Sequence, residues 1–238
     1  MALTAVIVQA RMTSTRLPGK VLLPLAGKSV LWHVLTRCRA IPGINVVCCA
    51  VPDEAGSDPV ATEAQKQGAR VHRGSEHDVL SRYEGAARTC EASAVMRVTS
   101  DCPLIDPVAA GRVLSRLTAT RADYCSNLEP RSWPKGLDTE AFTAAVLYRA
   151  AASATVANER EHVTTWIRQN RSLVHANVAY EKGDFHAYRW TLDYPEDLAF
   201  FRALYAILPP PPHIAPFEDV LAIVHEHPEI VALNAHLK

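Results

Sequence analysis

Apolar positions in the first half of the chain fall into two alternating patterns. Short, mostly apolar segments occupy residues 4–9, 44–51 and 94–99, and Arg70-Val71-His72-Arg73 is a shorter, more polar segment between the second and third. Runs of this length, rich in Val and Ile and bounded by polar residues, predict buried strands. Between them the apolar spacing changes to three and four residues. Ser29 offers an N-cap to a helix beginning Val30-Leu31-Trp32-His33-Val34-Leu35. A second helix is predicted from Asp58 to Gln67, ended by Gly68, and a third over 77–91 with Val79, Leu80, Tyr83 and Ala87 inward. Pro107 suits the first turn of a fourth, running to about residue 118. Strands separated by helices predict a parallel sheet with right-handed crossovers, which binds ligands at the strands' carboxyl ends. The loop after Gln9, the Arg73-Gly74-Ser75 turn and Asp101 should therefore share one edge.

Past residue 120 the pattern is mixed. It predicts a strand near 122–126, a loop with Pro130, Trp133 and Pro134, and helices near 142–153 and 159–169. Alternation at Leu173, His175 and Asn177, and again over 187–192, predicts two more strands. A helix over Pro195–Leu208 follows, then the stiff segment Pro209 to Pro212 and two short terminal helices. The expected fold class is α/β, three-layered, with a mixed, mainly parallel sheet. We expect one domain over 1–238: a ligand-binding half to residue 120, a lid or dimer arm over 121–208, and a helical tail over 209–238. No internal repeat is visible.

Composition narrows the partners. The 25 basic and 25 acidic residues cancel, so no broad field draws in nucleic acid or an anionic membrane. A polyanion site must then be local. The chain opens Met-Ala-Leu-Thr and enters its first strand directly, without a basic stretch and apolar core of a leader, and it lacks a membrane-length apolar run. Its six cysteines form no C-x-x-C pair and read as reduced thiols. A cytoplasmic protein is expected.

The local polyanion site is predicted in Gln9-Ala10-Arg11-Met12-Thr13-Ser14-Thr15-Arg16-Leu17-Pro18-Gly19-Lys20. Three cations and several hydroxyls share this loop with no acidic residue. Backbone N–H groups and hydroxyls can wrap phosphate oxygens while Arg11, Arg16 and Lys20 neutralise them. Neither G-x-G-x-x-G nor G-x-x-x-x-G-K-[ST] is present, which argues against a Rossmann dehydrogenase or a P-loop ATPase. Asp101 and Asp193 each follow an apolar segment and precede a proline turn. Two such carboxylates suit Mg²⁺, which takes one or two of them plus substrate phosphate oxygens. They equally suit capping, Asp101 of a turn and Asp193 of the helix from Pro195. Arg73 is placed to reach a base edge or ribose, whereas Ser75 and Asp78 fit a capping box. His225-Glu226-His227 lacks zinc-site spacing and reads as a solvated helix.

The loop resembles the signature of the cytidylyltransferases that activate acidic sugars as CMP derivatives. Arg97–Asp106, Pro134–Glu140 and Arg189–Asp197 match in order, and Glu159–Thr164 echoes a fourth motif. The similarity is closest to the spore-coat polysaccharide F-type branch, with CMP-Kdo and CMP-sialate synthetases as relatives. It implies a nucleotidyltransferase fold, CTP and a small acidic sugar as substrates, and pyrophosphate as product. It also implies Mg²⁺ on Asp101 and Asp193, and a homodimer. Arg11 and Lys20 would be catalytic with the aspartates; Gln9, Ala10, Ser14, Arg16, Arg73 and Ser100 would join them around the nucleotide. Glu140, Arg160, His162, Arg189 and Trp190 would lie on the sugar side. Burial is the ordinary role of a histidine or tryptophan at such positions. The residues themselves leave the base open among the four, and they leave two alternatives: a glycosyltransferase using a nucleotide-sugar donor, and a non-catalytic nucleotide-binding protein.

Overall fold

A computed structural model describes residues 3–237. Strand β1 (Leu3–Gln9) carries Ala5 and Ile7 on one face and Val6 and Val8 on the other, all fully buried. It is central because both faces are apolar. Parallel to it run β4 (Val46–Pro52) on one side and β6 (Ala92–Thr99) on the other, with β5 (Arg70–Gly74) outside β4. The sheet order is β5-β4-β1-β6-β8-β7-β9, with β7 at Tyr124–Ser126, β8 at Glu140–Thr143 and β9 at His175–Asn177. Strand β8 runs antiparallel to both β6 and β7. The expected mixed, mainly parallel sheet is thus present.

Period-two alternation sorts the core into layers. Val6, Val8, Cys49, Val51 and Val98 pack on α1 (Val30–Arg39), α2 (Asp58–Lys66) and α4 (Pro107–Thr120). Ala5, Ile7, Cys48 and Ala50 pack on α3 (Val79–Thr89) and α5 (Ala144–Ser153). A third cluster joins Trp133, Leu137, Trp190 and Leu192 to α8 (Pro195–Ile207), α9 (Phe217–Glu226) and α10 (Pro228–Ala232). It fastens the C-terminal segment to the sheet edge that bears the site. Among the described residues no helix is long and apolar enough to cross a membrane.

Four local expectations are corrected. The helix predicted from 142 begins as strand β8, and Thr143 then caps α5 by accepting from Val146 N. The helix predicted over 159–169 is two helices, α6 (Ala157–Glu161) and α7 (Thr165–Gln169). The break lies at Val163, whose φ of 55° is left-handed and whose side chain is fully buried. Among the described residues, 187–192 join no sheet: Ala187 ends a turn, and Arg189 makes an isolated bridge to Lys135. Their hydrogen bonds go to loops instead, Trp190 N to Lys135 O and Leu192 N to Asp101 O. Finally, Asp78 rather than Ser75 is the N-cap of α3, accepting from Ser81 N, while Ser75 Oγ accepts from Asp78 N. A small hairpin, β2 (Pro24–Leu25) with β3 (Lys28–Ser29), adds to the expected elements.

His33, inside α1, is buried, with Nε2 at 2.8 Å from Leu25 O and its ring edge-on to Tyr205. Burial, with Arg37 and Lys28 nearby, outweighs that hydrogen bond and pushes its pKa down from 6.5 to about 4. The unfolded chain therefore takes up a proton first as pH falls. Stability should be complete above about pH 6.5 and decline toward pH 4, by up to about 3 kcal/mol. Urea titrations across that window check this, and His33→Phe should flatten the slope.

Candidate active site

Gly19 closes the cationic loop. Its φ of 68° is a left-handed turn, and its N–H donates to Met12 O at 3.0 Å. The turn returns the chain as a short 3₁₀ segment, Lys20–Leu22, and carries Lys20 inward to 9% exposure. Lys20 Nζ then lies 2.9 Å from Asp101 Oδ2, 2.9 Å from Asp193 Oδ1 and 2.7 Å from Leu192 O. Burial opposes its charge, but the two carboxylates prevail and hold its pKa above the usual lysine value. Asp193 is also desolvated, yet Lys20, Arg16 and Arg189 keep its carboxyl below the usual range.

Asp101 reaches this point from the end of β6, where Ser100 N still donates to Gln9 O. Asp193 reaches it from the other side, because Leu192 N donates to Asp101 O at 2.8 Å. Neither aspartate caps a helix: the N-cap of α8 is Tyr194, and Asp197 accepts from the backbone N–H groups of Asp193 and Tyr194. Two hard carboxylates facing one point, where Lys20 Nζ now lies between them, suit a divalent cation. Among the described residues no group of three or more His, Cys, Asp or Glu side chains could hold a metal. That pattern suits an ion completed by substrate phosphates and water, not a protein-only cage.

From this floor opens a cleft of about 660 Å³. One wall is the loop, with Gln9, Ala10, Arg11, Ser14, Thr15 and Arg16. The other is the start of α3, with Ser75 to Val79 and Arg82, flanked by Arg160, Glu161 and His162 at the α6 end. The rims touch: Thr13 Oγ1 donates to Glu76, and Arg11 lies 3.7 Å from the same carboxylate. Arg16 pairs with Asp193 at 2.7 Å and stacks over the Tyr194 ring. Arg160 is committed to Asp78 at 2.6 Å and to two backbone carbonyls of the α5 end. Gln9 Oε1 and Arg82 Nε are buried here with no hydrogen-bond partner among the described residues.

Of the residues singled out in the sequence, Gln9, Ala10, Arg11, Ser14, Arg16, Lys20, Ser100 and Asp101 line this cleft together, with Arg160 and His162 opposite. Asp193 joins them at the floor through Lys20. Four others do not line it. Arg73 pairs with exposed Asp58 at 2.6 Å outside the cleft. Glu140 is buried between Arg97, at 2.5 Å, and the Tyr124 hydroxyl, at 2.7 Å. Trp190 is 1% exposed in the third core cluster. Arg189 backs the site from behind Asp193. Sequence reading missed Arg82, whose only signal was a cation on the inward face of α3, and Glu76. Arg73→Ala should change stability by no more than about 0.5 kcal/mol, as for other exposed ion pairs. Its nucleotide affinity should stay at the wild-type value in a binding titration.

A family model described as cytidylyltransferase matches residues 5–213. The chain belongs to this cytidylyltransferase family. It is 31% identical over 231 residues to the spore coat polysaccharide biosynthesis protein SpsF of Bacillus subtilis (strain 168), covering 94% of each chain. A cytidylyltransferase from Leptospira borgpetersenii serovar Hardjo-bovis (strain JB197) superimposes with a TM-score of 0.92 at 28% identity, covering 97% of each. The CMP:2-keto-3-deoxy-manno-octonic acid synthetase solved with CTP shares the fold, with a TM-score of 0.66 at 19% identity over 86% of this chain and 99% of that one. The resemblance stated from the motifs is thereby confirmed, and the cytidylyltransferase is a nucleotidyltransferase enzyme.

Proposed function

We propose that this cytidylyltransferase transfers CMP from CTP to the anomeric hydroxyl of a small acidic sugar, with Mg²⁺, releasing pyrophosphate. The observation that carries the reading is the convergence of Asp101, Asp193 and Lys20 on the floor of a cleft walled by Arg11 and Arg16. The family and the names of its relatives supply CTP and the acidic sugar, and the cleft supplies the cations and carboxylates for the phosphates and the metal.

In this reading the triphosphate lies along the loop. Arg11, Ser14 and backbone N–H groups hold the outer phosphates, and Lys20 turns its ammonium from the aspartates onto them. Asp101 and Asp193 would hold Mg²⁺, which when bound supplies charge neutralisation and Lewis-acid polarisation at the phosphate. The base rests between Gln9 and the start of α3, where the unpaired Gln9 Oε1 and Arg82 Nε offer an acceptor and a donor. The sugar hydroxyl attacks the α-phosphorus in line. As that O–P bond forms, the bond to the β-phosphate oxygen breaks and the hydroxyl proton passes to solvent. Arg11 and Lys20 stabilise the departing pyrophosphate. His162 and Glu161, at the far end of the cleft, face the acceptor.

The same reading makes the protein cytoplasmic, in keeping with six buried unpaired cysteines. It also makes it a homodimer through the β9 edge, beside exposed Val174. Thermal unfolding with Mg²⁺ and each of four NTPs tests the nucleotide. A ligand at a hundredfold its Kd adds about 2.7 kcal/mol. A shift selective for CTP is expected. Silence for all four, with a shift from UDP-glucose, would overturn the reading in favour of a glycosyltransferase.

A further inference from the structure

Asp193 is oriented by a chain of buried contacts that ends four residues from the last residue of the sequence. Its Oδ1 faces Lys20 and Arg16, while its Oδ2 accepts from Arg189 Nη2 at 3.1 Å. Arg189 is in turn gripped by Asp197 through two parallel bonds, Nε to Oδ1 and Nη2 to Oδ2, each 2.9 Å. Asp197 is fully buried and also accepts from Asp193 N and Tyr194 N. The final contact comes from Asn234, just past α10. Its Nδ2 donates to Asp197 Oδ1 and to Arg189 O, both at 2.9 Å.

One amide therefore ties the side chain of Asp197 to the main chain of Arg189. With it, Asp197 Oδ1 accepts from Arg189 Nε and Asn234 Nδ2 and Oδ2 accepts from three donors, so both oxygens are fully engaged, whereas without it Oδ1 keeps Arg189 Nε alone among the described residues. A saturated buried network has one low-energy arrangement, whereas a carboxylate missing a donor can rotate. The Arg189 guanidinium would follow it, and Asp193 Oδ2 would lose its fixed partner. Asn234 is itself 2% exposed. The third core cluster, through Val224 on α9 and Ile230 on α10, presses its segment onto α8.

We infer that Asn234 is a positioning residue of the active site: the C-terminal segment completes the second carboxylate of the metal pair by holding Asp197 and Arg189 in register. The inference rests on the proposal that Asp193 is a metal ligand. A tail merely anchored by Asn234 would share its stability cost but not its effect on metal binding.

Mn²⁺ binding in the presence of CTP, followed by paramagnetic resonance of the free ion, separates these. The wild type, Asp193→Asn, Asn234→Leu and Asn234→Ser are compared. Leu keeps the volume without donors, and Ser keeps one donor for use if the Leu variant does not fold. Loss of a partner behind a metal ligand weakens metal affinity by about 10–100-fold. An increase of that order in the half-saturating Mn²⁺ concentration is expected for Asn234→Leu. A smaller one is expected for Asn234→Ser, with the KM for CTP near the wild-type value at saturating metal. A folded Asn234 variant with a lowered melting temperature and wild-type Mn²⁺ affinity would overturn the inference alone. Wild-type protein that binds no Mn²⁺ with CTP, or Asp193→Asn that binds it normally, would overturn the metal reading beneath it.

Discussion

Asp101→Asn should lower kcat by about a thousandfold, equivalent to about 4 kcal/mol of transition-state stabilisation, while the protein stays folded. The side chain of Asp101 accepts from Lys20 Nζ, at 2.9 Å, and from the neighbouring Cys102 thiol. The structural bond at this residue, from Leu192 N, goes to its backbone carbonyl and survives the substitution. Lys20 also keeps Asp193 and Leu192 O as partners. The change therefore removes one negative charge from the floor of the cleft and leaves the scaffold that supports it. Steady-state kinetics with CTP, alongside a melting curve, check both halves. Turnover within threefold of wild type would remove Asp101 from the chemistry.

The largest effect on folding is expected from Gly136→Ala. Gly136 has φ of 109°, and a Cβ built there would lie 2.1 Å from Trp190 O and 2.3 Å from Trp190 C. Both are backbone atoms, so no side chain can swing away. The flanking bonds, Lys135 N to Tyr188 O and Trp190 N to Lys135 O, fix the two segments at this distance. Relief requires moving residues 189–191, and Asp193 follows directly. Backbone strain of about 1–3 kcal/mol adds to the cost of the displaced contact. A loss of about 3 kcal/mol or more is expected in denaturant titration, within the range of severe single substitutions. Residual folded protein should show weakened metal and nucleotide binding.

The parts of this site that lie close together along the chain are legible in the sequence. The proposed phosphate loop is contiguous, so its charge and hydroxyl content mark it out, and the strand that feeds it holds the apolar run Ala5-Val6-Ile7-Val8. Asp101 and Asp193 can be named from their position after apolar segments, but not their separation: that depends on Leu192 pairing with Asp101. Lys20 reads as a phosphate ligand, and its place between the two carboxylates emerges only from the turn at Gly19. Glu140 reads as a sugar ligand because it is charged and lies in a motif. Its acid instead neutralises Arg97 inside the sheet, a pairing of residues 43 apart in sequence. Asn234 carries no signal at all, since an asparagine near the end of a chain is ordinarily a solvated turn residue. Strand β8 is hidden for a different reason. Its four residues run straight into α5, and the stronger helical spacing of the longer element absorbs them.

Stability and the proposed catalysis meet at one place in this fold. The segment 189–193 is held by Lys135, Asp101, Asp197 and Asn234, none of which belongs to the same secondary-structure element. An extended stretch outside any sheet is ordinarily the part of a protein most prone to local opening. Here its bonds to other segments fix it, and the arrangement places a carboxylate opposite Asp101 without a strand to carry it.

The most direct test is product analysis. Purified protein is incubated with CTP, Mg²⁺ and a panel of acidic 2-keto sugars, and phosphorus NMR follows the nucleotide. A CMP-sugar phosphodiester and pyrophosphate in equal amounts are expected with at least one of these acceptors, with CTP preferred over the other NTPs and the reaction all but abolished in Asp101→Asn. Intact CTP with every acidic sugar, together with cleavage of a nucleotide-sugar donor by the same protein, would contradict it.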